Sequence, residues 1–339
     1  MIERSIDFSR LRRMRCGRCG HETEVSDQWI HSWEQGQQRC AQCGIDCTEE
    51  DRADYVAHPA DPALTPDDVT GMYWYHTSTH ANWPDTNFDP IASLTEETKA
   101  RMESMTGPGA VERWAARQKR KALHIGTYEA AIENMLRRMH DQSSESSDFY
   151  LYRVQLDPQC RVTEGVHPEP TDFVGDTDLA SVAGSQVDLY RYINVHEDPG
   201  SISAAITARA IGSAQRLTIP QLPPPLEYDY LVRHLSQASG QSTASRVTEG
   251  MRGDSSLSKL LRSRQARTPD TRQLLWVQAA KHMPQRIRAR FEGAFSSTSA
   301  DKWGPDFTAY TAGMLKLINS PPEILAALNE QPWRHVSGQ

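Results

Sequence analysis

Leu189-Tyr190-Arg191-Tyr192-Ile193-Asn194-Val195-His196-Glu197-Asp198-Pro199-Gly200-Ser201-Ile202-Ser203 is the stretch on which the fold turns. Aromatic and β-branched residues crowd its first seven positions, and such side chains favour a pleated, half-buried strand. Two carboxylates follow, then Pro-Gly, which is turn chemistry, then a second short strand. A strand that runs into two acids and a rigid turn is either an ordinary connection or a means of presenting a carboxylate at a strand end.

Similar runs lie upstream. GMYWYHTST (71–79), ALHIGT (122–127) and FYLYRVQL (149–156) read as strands. Helical patterns separate them: LTEETKARMESM (94–105), AVERWAARQKRKA (110–122) and YEAAIENMLRRMHD (128–141), the last placing Ala130, Ala131, Met135 and Met139 roughly on one face. HDQSSESSD (140–148) reads as a polar loop. The fold class is therefore α+β, with a core over residues 71–220. Residues 51–70 are acidic and contain prolines, as a linker would. IPQLPPPLEYDY (219–230) reads as an extended connector, and residues 226–339 as an all-helical region.

Four of the six cysteines form a pattern, Cys16-Gly-Arg-Cys19 and Cys40-Ala-Gln-Cys43. Each CxxC turn aims two thiolates at one point, and two such knuckles complete a tetrahedral S₄ shell around Zn²⁺. Both knuckles run into glycine (Gly20, Gly44), which permits the tight turn. Residues 1–50 resemble a zinc ribbon with a short hairpin between the knuckles. With all four positions filled by cysteine, the metal would be structural. Cys47 and Cys160 are left over. Disulfide pairing is the competing reading, but the start of the chain shows no apolar stretch after its charges, so no secretory signal is read and a cytoplasmic location is expected. No apolar run is long enough to span a membrane.

The net charge of −7 hides a division. From Arg246 to Arg290 eleven Lys or Arg stand against three acids, so this stretch carries +8 and the remainder −15. Residues 1–18 are basic too, with six arginines against Glu3 and Asp7. Either these are solvated helix faces, or segments 1–18 and 246–290 hold a polyanion or an acidic protein surface.

Polar groups punctuate the strands of the core in order: Tyr75-His76-Thr77-Ser78, then Leu123-His124-Ile125-Gly126-Thr127-Tyr128, then Asn194 to Ser203. On these residues the chain resembles the ADP-ribosyltransferase superfamily, in its His-Tyr-Glu branch, over roughly residues 71–210. The resemblance implies a split antiparallel β-sheet core and NAD as co-substrate. His76 would hydrogen-bond the ribose, with Thr77 or Ser78 bracing it. Gly126, Thr127 and Tyr128 would form the nicotinamide side, with Tyr128 the stacking ring, and Glu197 would be the catalytic carboxylate. The chain departs from the family in having no second tyrosine about ten residues after Tyr128, where the stretch is AAIENMLRRM, and in having Thr77, where glycine is usual, after the histidine.

The chemistry of these residue types agrees with that assignment. Breaking the nicotinamide–ribose bond leaves an oxocarbenium-like centre, which a carboxylate facing it stabilises more than it stabilises the ground state. Neither GxGxxG nor GxxxxGK[ST] occurs, so Rossmann and P-loop nucleotide binding lack support. The expected function is mono-ADP-ribosyl transfer to a protein or nucleic-acid acceptor. Two alternatives stand beside it: a non-catalytic zinc-ribbon adaptor for nucleic acid or protein, and an NAD glycohydrolase. Histidines on strands are also common as plain hydrogen-bonded core groups, and Asp-Pro-Gly as a plain turn.

Overall fold

The structure is a computed structural model that describes residues 1–85, 87–141, 149–170, 177–219, 280, 283–296 and 313–336. Within it the chain forms two compact units. The first holds residues 1–134, 150–217 and 328–339, and the second holds 135–149 and 218–327.

The first unit opens with a segment, residues 2–10, that lies along the core. Ile2 exchanges backbone hydrogen bonds with Gly71 and Tyr73, and the Phe8 ring is buried. Strands β1 (Arg12–Cys16), β2 (Glu22–Val25) and β3 (Ala53–Val56) then build an antiparallel sheet in the order β2-β1-β3. Helix α1 (Asp27–Glu34) covers it, burying Ile30 with Met14, Val25 and Tyr55. The expected hairpin between the knuckles is thus a strand followed by a helix. Ser26 is the physical reason: its side-chain oxygen accepts the Trp29 N–H at 3.3 Å and satisfies an orphan donor at the helix start. Residues 51–70 are not a bare linker either. They supply β3, a 3₁₀ turn (Pro62–Leu64) and helix α2 (Pro66–Val69), and Ala63 and Val69 are fully buried in the core.

The core itself is two four-stranded sheets. Strands β4 (Trp74–Ser78) and β5 (Leu123–Ile125) flank helices α3 (Glu96–Thr106) and α4 (Ala110–Arg120), and β5 leads straight into α5 (Tyr128–Asp141). After these come β6 (Tyr150–Leu156), β7 (His167–Pro168), α6 (Leu179–Ala183), β8 (Leu189–Ile193), β9 (Ile202–Ile206) and β10 (Ile211–Thr218). Among the described residues, helices α7 (Gln285–Ser296), α8 (residues 313–319) and α9 (Pro321–Asn329) precede strand β11 (Arg334–His335). One sheet has the order β11-β10-β6-β4, the other β5-β9-β8-β7. Both are antiparallel except for the β7–β8 pair. Between them the cluster of Met72, Trp74, Tyr152, Val154, Leu189, Ile202 and Ile206 is almost wholly buried. Burial of each such side chain stabilises by roughly 1.5–3 kcal/mol.

Among the described residues a single backbone bridge joins the sheets, Tyr75 N–H to Gly126 O and Gly126 N–H to Tyr75 O, each 3.0 Å. Only glycine fits at 126, because a Cβ there would lie 2.8 Å from Ser203 Oγ and 3.0 Å from Ala130 Cβ. The segment 226–339 is not all-helical: β11 pairs with β10, and Trp333 stacks on Tyr73 at 5.9 Å. Residues 220–279, and with them most of the basic stretch 246–290, lie outside the described residues, as do 142–148 of the polar loop.

The turn between β8 and β9 depends on Asp198. It is fully buried at φ 48°, a backbone region that Asp and Asn tolerate better than most residues. Its carboxylate meets Arg10 at 2.6 Å and Arg12 at 3.0 Å, and accepts the Thr127 hydroxyl at 2.7 Å. Burial alone would raise this carboxyl, but the two guanidinium groups outweigh it and hold the pKa below its ordinary value. Asp198→Asn keeps the shape and the tolerance of positive φ but leaves two arginines uncompensated. It should lower the unfolding free energy by about 3–5 kcal/mol in urea titrations. A second carboxylate, Asp188, is bound by Arg161 and Arg209. Burial would raise it, yet the Arg161 and Arg209 bonds bring it down to about 2. A depressed folded-state pKa means stability that is present above about pH 4 and lost as pH falls towards 2. Arg161→Ala/Arg209→Ala should remove about 1–2 kcal/mol of that acid dependence, both arginines being solvent-screened, as read from unfolding free energies between pH 5 and 2.

Candidate functional site

The four knuckle cysteines come together as the spacing predicts. In the first knuckle Cys16 N–H bonds His21 O and Gly20 N–H bonds Cys16 O. In the second Cys40 N–H bonds Ile45 O and Gly44 N–H bonds Cys40 O, all at 2.9 Å. The glycines that close them have φ 71° and 72°, the left-handed turn that glycine adopts without strain. The sulfurs lie within 4.8 Å of one another, with Cys16–Cys43 and Cys19–Cys40 each at 3.7 Å. A tetrahedral shell with Zn–S bonds of about 2.3 Å has edges of about 3.8 Å, whereas a disulfide needs about 2.05 Å. The site can therefore hold a metal ion such as zinc, and an all-thiolate donor set suits zinc. Cys47 stands apart from the four; it is buried and accepts the Gln38 N–H. Cys160 is a sluggish thiol, since burial and then Asp188 push it up to about 11.

The second constellation is organised by the first turns of α5. Thr77 Oγ1 donates to Ala131 O at 2.9 Å. Thr127 Oγ1 accepts the Ala130 N–H at 3.0 Å while donating to Asp198. Asn134 Nδ2 donates to Glu197 Oε1 at 3.2 Å. Strand β4, the β5–α5 junction and the β8–β9 turn thus converge on one helix. Asn194 fixes the turn further. Its side-chain oxygen accepts the His196 and Glu197 N–H groups at 3.1 and 2.8 Å, and its amide donates to Ser203 Oγ at 2.9 Å.

Each singled-out residue has a definite place. Glu197 is 6% exposed at the turn. His76 is half-buried: its Nδ1 lies 2.7 Å from His124 O and its ring stacks on Trp83 at 4.0 Å. Ser78 is buried and accepts the His80 N–H. Gly126 is the sheet bridge. Tyr128 is 2% exposed, set edge-on between Tyr75 at 5.3 Å and Phe8 at 6.2 Å, and burial, with Glu129, pushes its hydroxyl well above the ordinary range. No ring face of Tyr128 is open in this arrangement. Glu129 beside it is raised to about 7 by burial and by Asp198, against the pull of the Asp7 N–H at 2.6 Å.

Sequence reading named Asn194 among the polar groups without a role for it, and missed Asn134, Trp83 and the pairing of Arg10 and Arg12 with Asp198. Asn194 carried a signal, an Asx residue three positions before a Glu-Asp-Pro-Gly turn. The arginines carried none. No protein-family model, curated protein or solved structure matches this chain.

The metal assignment is open to direct measurement. The purified chain should carry about one zinc per molecule by elemental analysis. Cys19 and Cys43 are exposed, so Cys19→Ser or Cys43→Ser removes a ligand without touching the core. Either change should drop zinc content towards zero and open β1–β3 to proteolysis, because metal binding is part of the folding free energy of such modules.

Proposed function

We propose that this chain is an NAD-dependent mono-ADP-ribosyltransferase acting on a protein or nucleic-acid acceptor. The observation that carries the reading is the convergence on α5. The three elements on which the resemblance rests, Tyr75-His76-Thr77-Ser78, Gly126-Thr127-Tyr128 and the Glu197 turn, are remote in sequence yet hydrogen-bond to the same two helical turns. A split pair of antiparallel sheets bridged at Gly126 agrees with the core that the resemblance implies.

In this reading His76 hydrogen-bonds the ribose, and Thr77 and Ser78 hold its strand in place. Glu197 holds the ribose 2′-hydroxyl and faces the carbon that becomes positive as the C–N bond to nicotinamide breaks. The bond's electron pair leaves with nicotinamide, the acceptor attacks the same carbon, and the acceptor's proton is lost to solvent. A carboxylate fixed before the charge develops lowers the barrier without reorganising. Asn134 and Asn194 serve as positioning residues for Glu197. Tyr128, flanked by Phe8 and Tyr75, stands as a wall behind the α5 N-terminus. Zinc would be structural in the Cys16, Cys19, Cys40 and Cys43 module. Target recognition falls to the basic stretch 246–290, since Arg10, Arg12, Arg13, Arg15 and Arg18 of segment 1–18 already face acids within 4 Å.

The four-cysteine cluster is the specific observation behind a second reading, a non-catalytic adaptor for nucleic acid or protein. Incubation with labelled NAD and either DNA, RNA or cell lysate separates the two. Wild type should transfer label, and Glu197→Gln should transfer it about 10²–10³-fold more slowly while melting within a few degrees of wild type. Nicotinamide release without label transfer would make the chain a glycohydrolase. Neither release nor transfer would leave the adaptor.

A further inference from the structure

Helix α4 (Ala110–Arg120) turns two unlike sides to its surroundings. Val111 and Ala115 are buried, whereas Glu112, Arg113, Ala116, Arg117, Lys119 and Arg120 are exposed. From Ala110 to Lys121 five cations stand against one acid, a net +4. Arg113, Arg117 and Arg120 recur at i, i+4 and i+7, which sets them in one row about 10 Å long.

Little within the fold neutralises this row. Glu112 has alanines at i+3 and i+4, so it meets no cation one turn further along its helix. Glu103 accepts the Val111 N–H at 2.9 Å, at the N-terminal end of α4. Arg113 donates to Pro108 O and Thr106 O, neutral acceptors that leave its charge standing. Arg120 pairs with Asp178 at 3.4 Å, but through solvent-exposed side chains, and Asp178 also caps α6. Among the described residues Arg117 and Lys119 make no ion pair. The helix dipole favours cations in the last turn, yet it offers only about half a negative charge there, against the three of Arg117, Lys119 and Arg120. Like charges one turn apart repel, and an external anion relieves that repulsion.

We infer that the exposed face of α4 is a nucleic-acid contact, its arginines set on neighbouring phosphates. A straight row of guanidinium groups suits a linear polyanion. A duplex carries one charge per about 1.7 Å of its axis, and each guanidinium can take two phosphate oxygens. A lipid surface would need the apolar side of the helix to enter the bilayer, and in α4 that side is buried in the protein. An acidic protein partner would need an apolar or aromatic centre to the patch, and among the exposed residues of α4 only Ala116 is apolar. The contact lies outside stretch 246–290 in the chain and requires no NAD, so its failure would leave the transferase reading untouched.

Fluorescence anisotropy of the full chain without NAD tests it. The probes are a labelled mixed-sequence DNA duplex of about 30 base pairs and a single-stranded RNA of equal length, in salt from about 50 to 200 mM. Three phosphate contacts on the duplex give log affinity a slope of about −2.7 against log salt, so wild type should lose at least about 40-fold over that range. Arg117→Gln/Arg120→Gln should flatten the slope by about 1.8 and bind at least about 10-fold more weakly at the low-salt end, while melting with wild type. Arg117→Lys/Arg120→Lys restores the charge and should recover the wild-type slope. Binding to neither probe at low salt, equal affinity and slope in the glutamine variant, or no recovery in the lysine variant overturns the contact. Displacement of the bound probe by polyglutamate or anionic-lipid vesicles, at the same concentration of charge as the nucleic acid, overturns the partner class.

Discussion

The buried carboxylate of Asp198 is the constraint around which the first unit is arranged. A charge taken out of water in this way is tolerable only if opposite charge and hydrogen bonds surround it. Arg10, Arg12 and Thr127 supply both, the arginines from the start of the chain and the threonine from the β5–α5 junction. Through them the N-terminal segment, the first strand of the metal module, the cap of α5 and the β8–β9 turn share one electrostatic centre. Glu197 precedes Asp198 in the chain, so the carboxylate of the proposed reaction stands next to an acid whose own role is structural. Two adjacent carboxylates thus differ in their partners: Asp198 pairs inward with arginine, whereas the Glu197 carboxylate accepts the Asn134 amide and the Glu197 backbone N–H donates to Asn194 Oδ1.

What was legible in the sequence follows from the range of the interaction involved. Strands marked by aromatic and β-branched runs stand at Trp74–Ser78, Tyr150–Leu156 and Leu189–Ile193, and the helix at Tyr128–Asp141 follows its apolar periodicity. The knuckles could be read because CxxC turns close within a few residues. Strand β10 escaped notice because IGSAQRLT has no aromatic residue and mixes small with polar side chains. Strand β11 escaped because two residues carry no pattern, and tertiary pairing alone defines them. The candidate site shows the same division. Asn194 acts over nine residues or fewer and left a trace, whereas Arg10 reaches Asp198 across 188 positions and left none. An aromatic residue at a strand–helix junction looks the same whether open or covered, and Phe8, far from Tyr128 in the chain, is what covers it.

The metal module and the core are joined by packing as well as charge. Ile193 and Val195, at the end of β8, pack against the cluster of Met14, Val25, Ile30 and Tyr55. The sheet β2-β1-β3 therefore does not stand alone as a bead on a tether. Residues 53–69 are folded into the contact, which is why their acidic, proline-bearing composition misleads. Net charge misleads in a related way. The arginines at 10–18 look like a basic tail in sequence, but most neutralise acids within the same unit, so they contribute to cohesion more than to an outward field.

The pairing of β10 with β11 has a temporal consequence. Ser213 and His335 are register partners, and Trp333, beside them, stacks on Tyr73. During synthesis at about 5–20 residues per second, the strand that completes this sheet emerges several seconds after its partner. Throughout that interval the β10 edge presents unpaired N–H and C=O groups, the usual template for pairing with another chain. This sheet edge therefore stays open until residues 334–335 have been made, which makes nascent chains stalled between residues 218 and 333 prone to associate with one another.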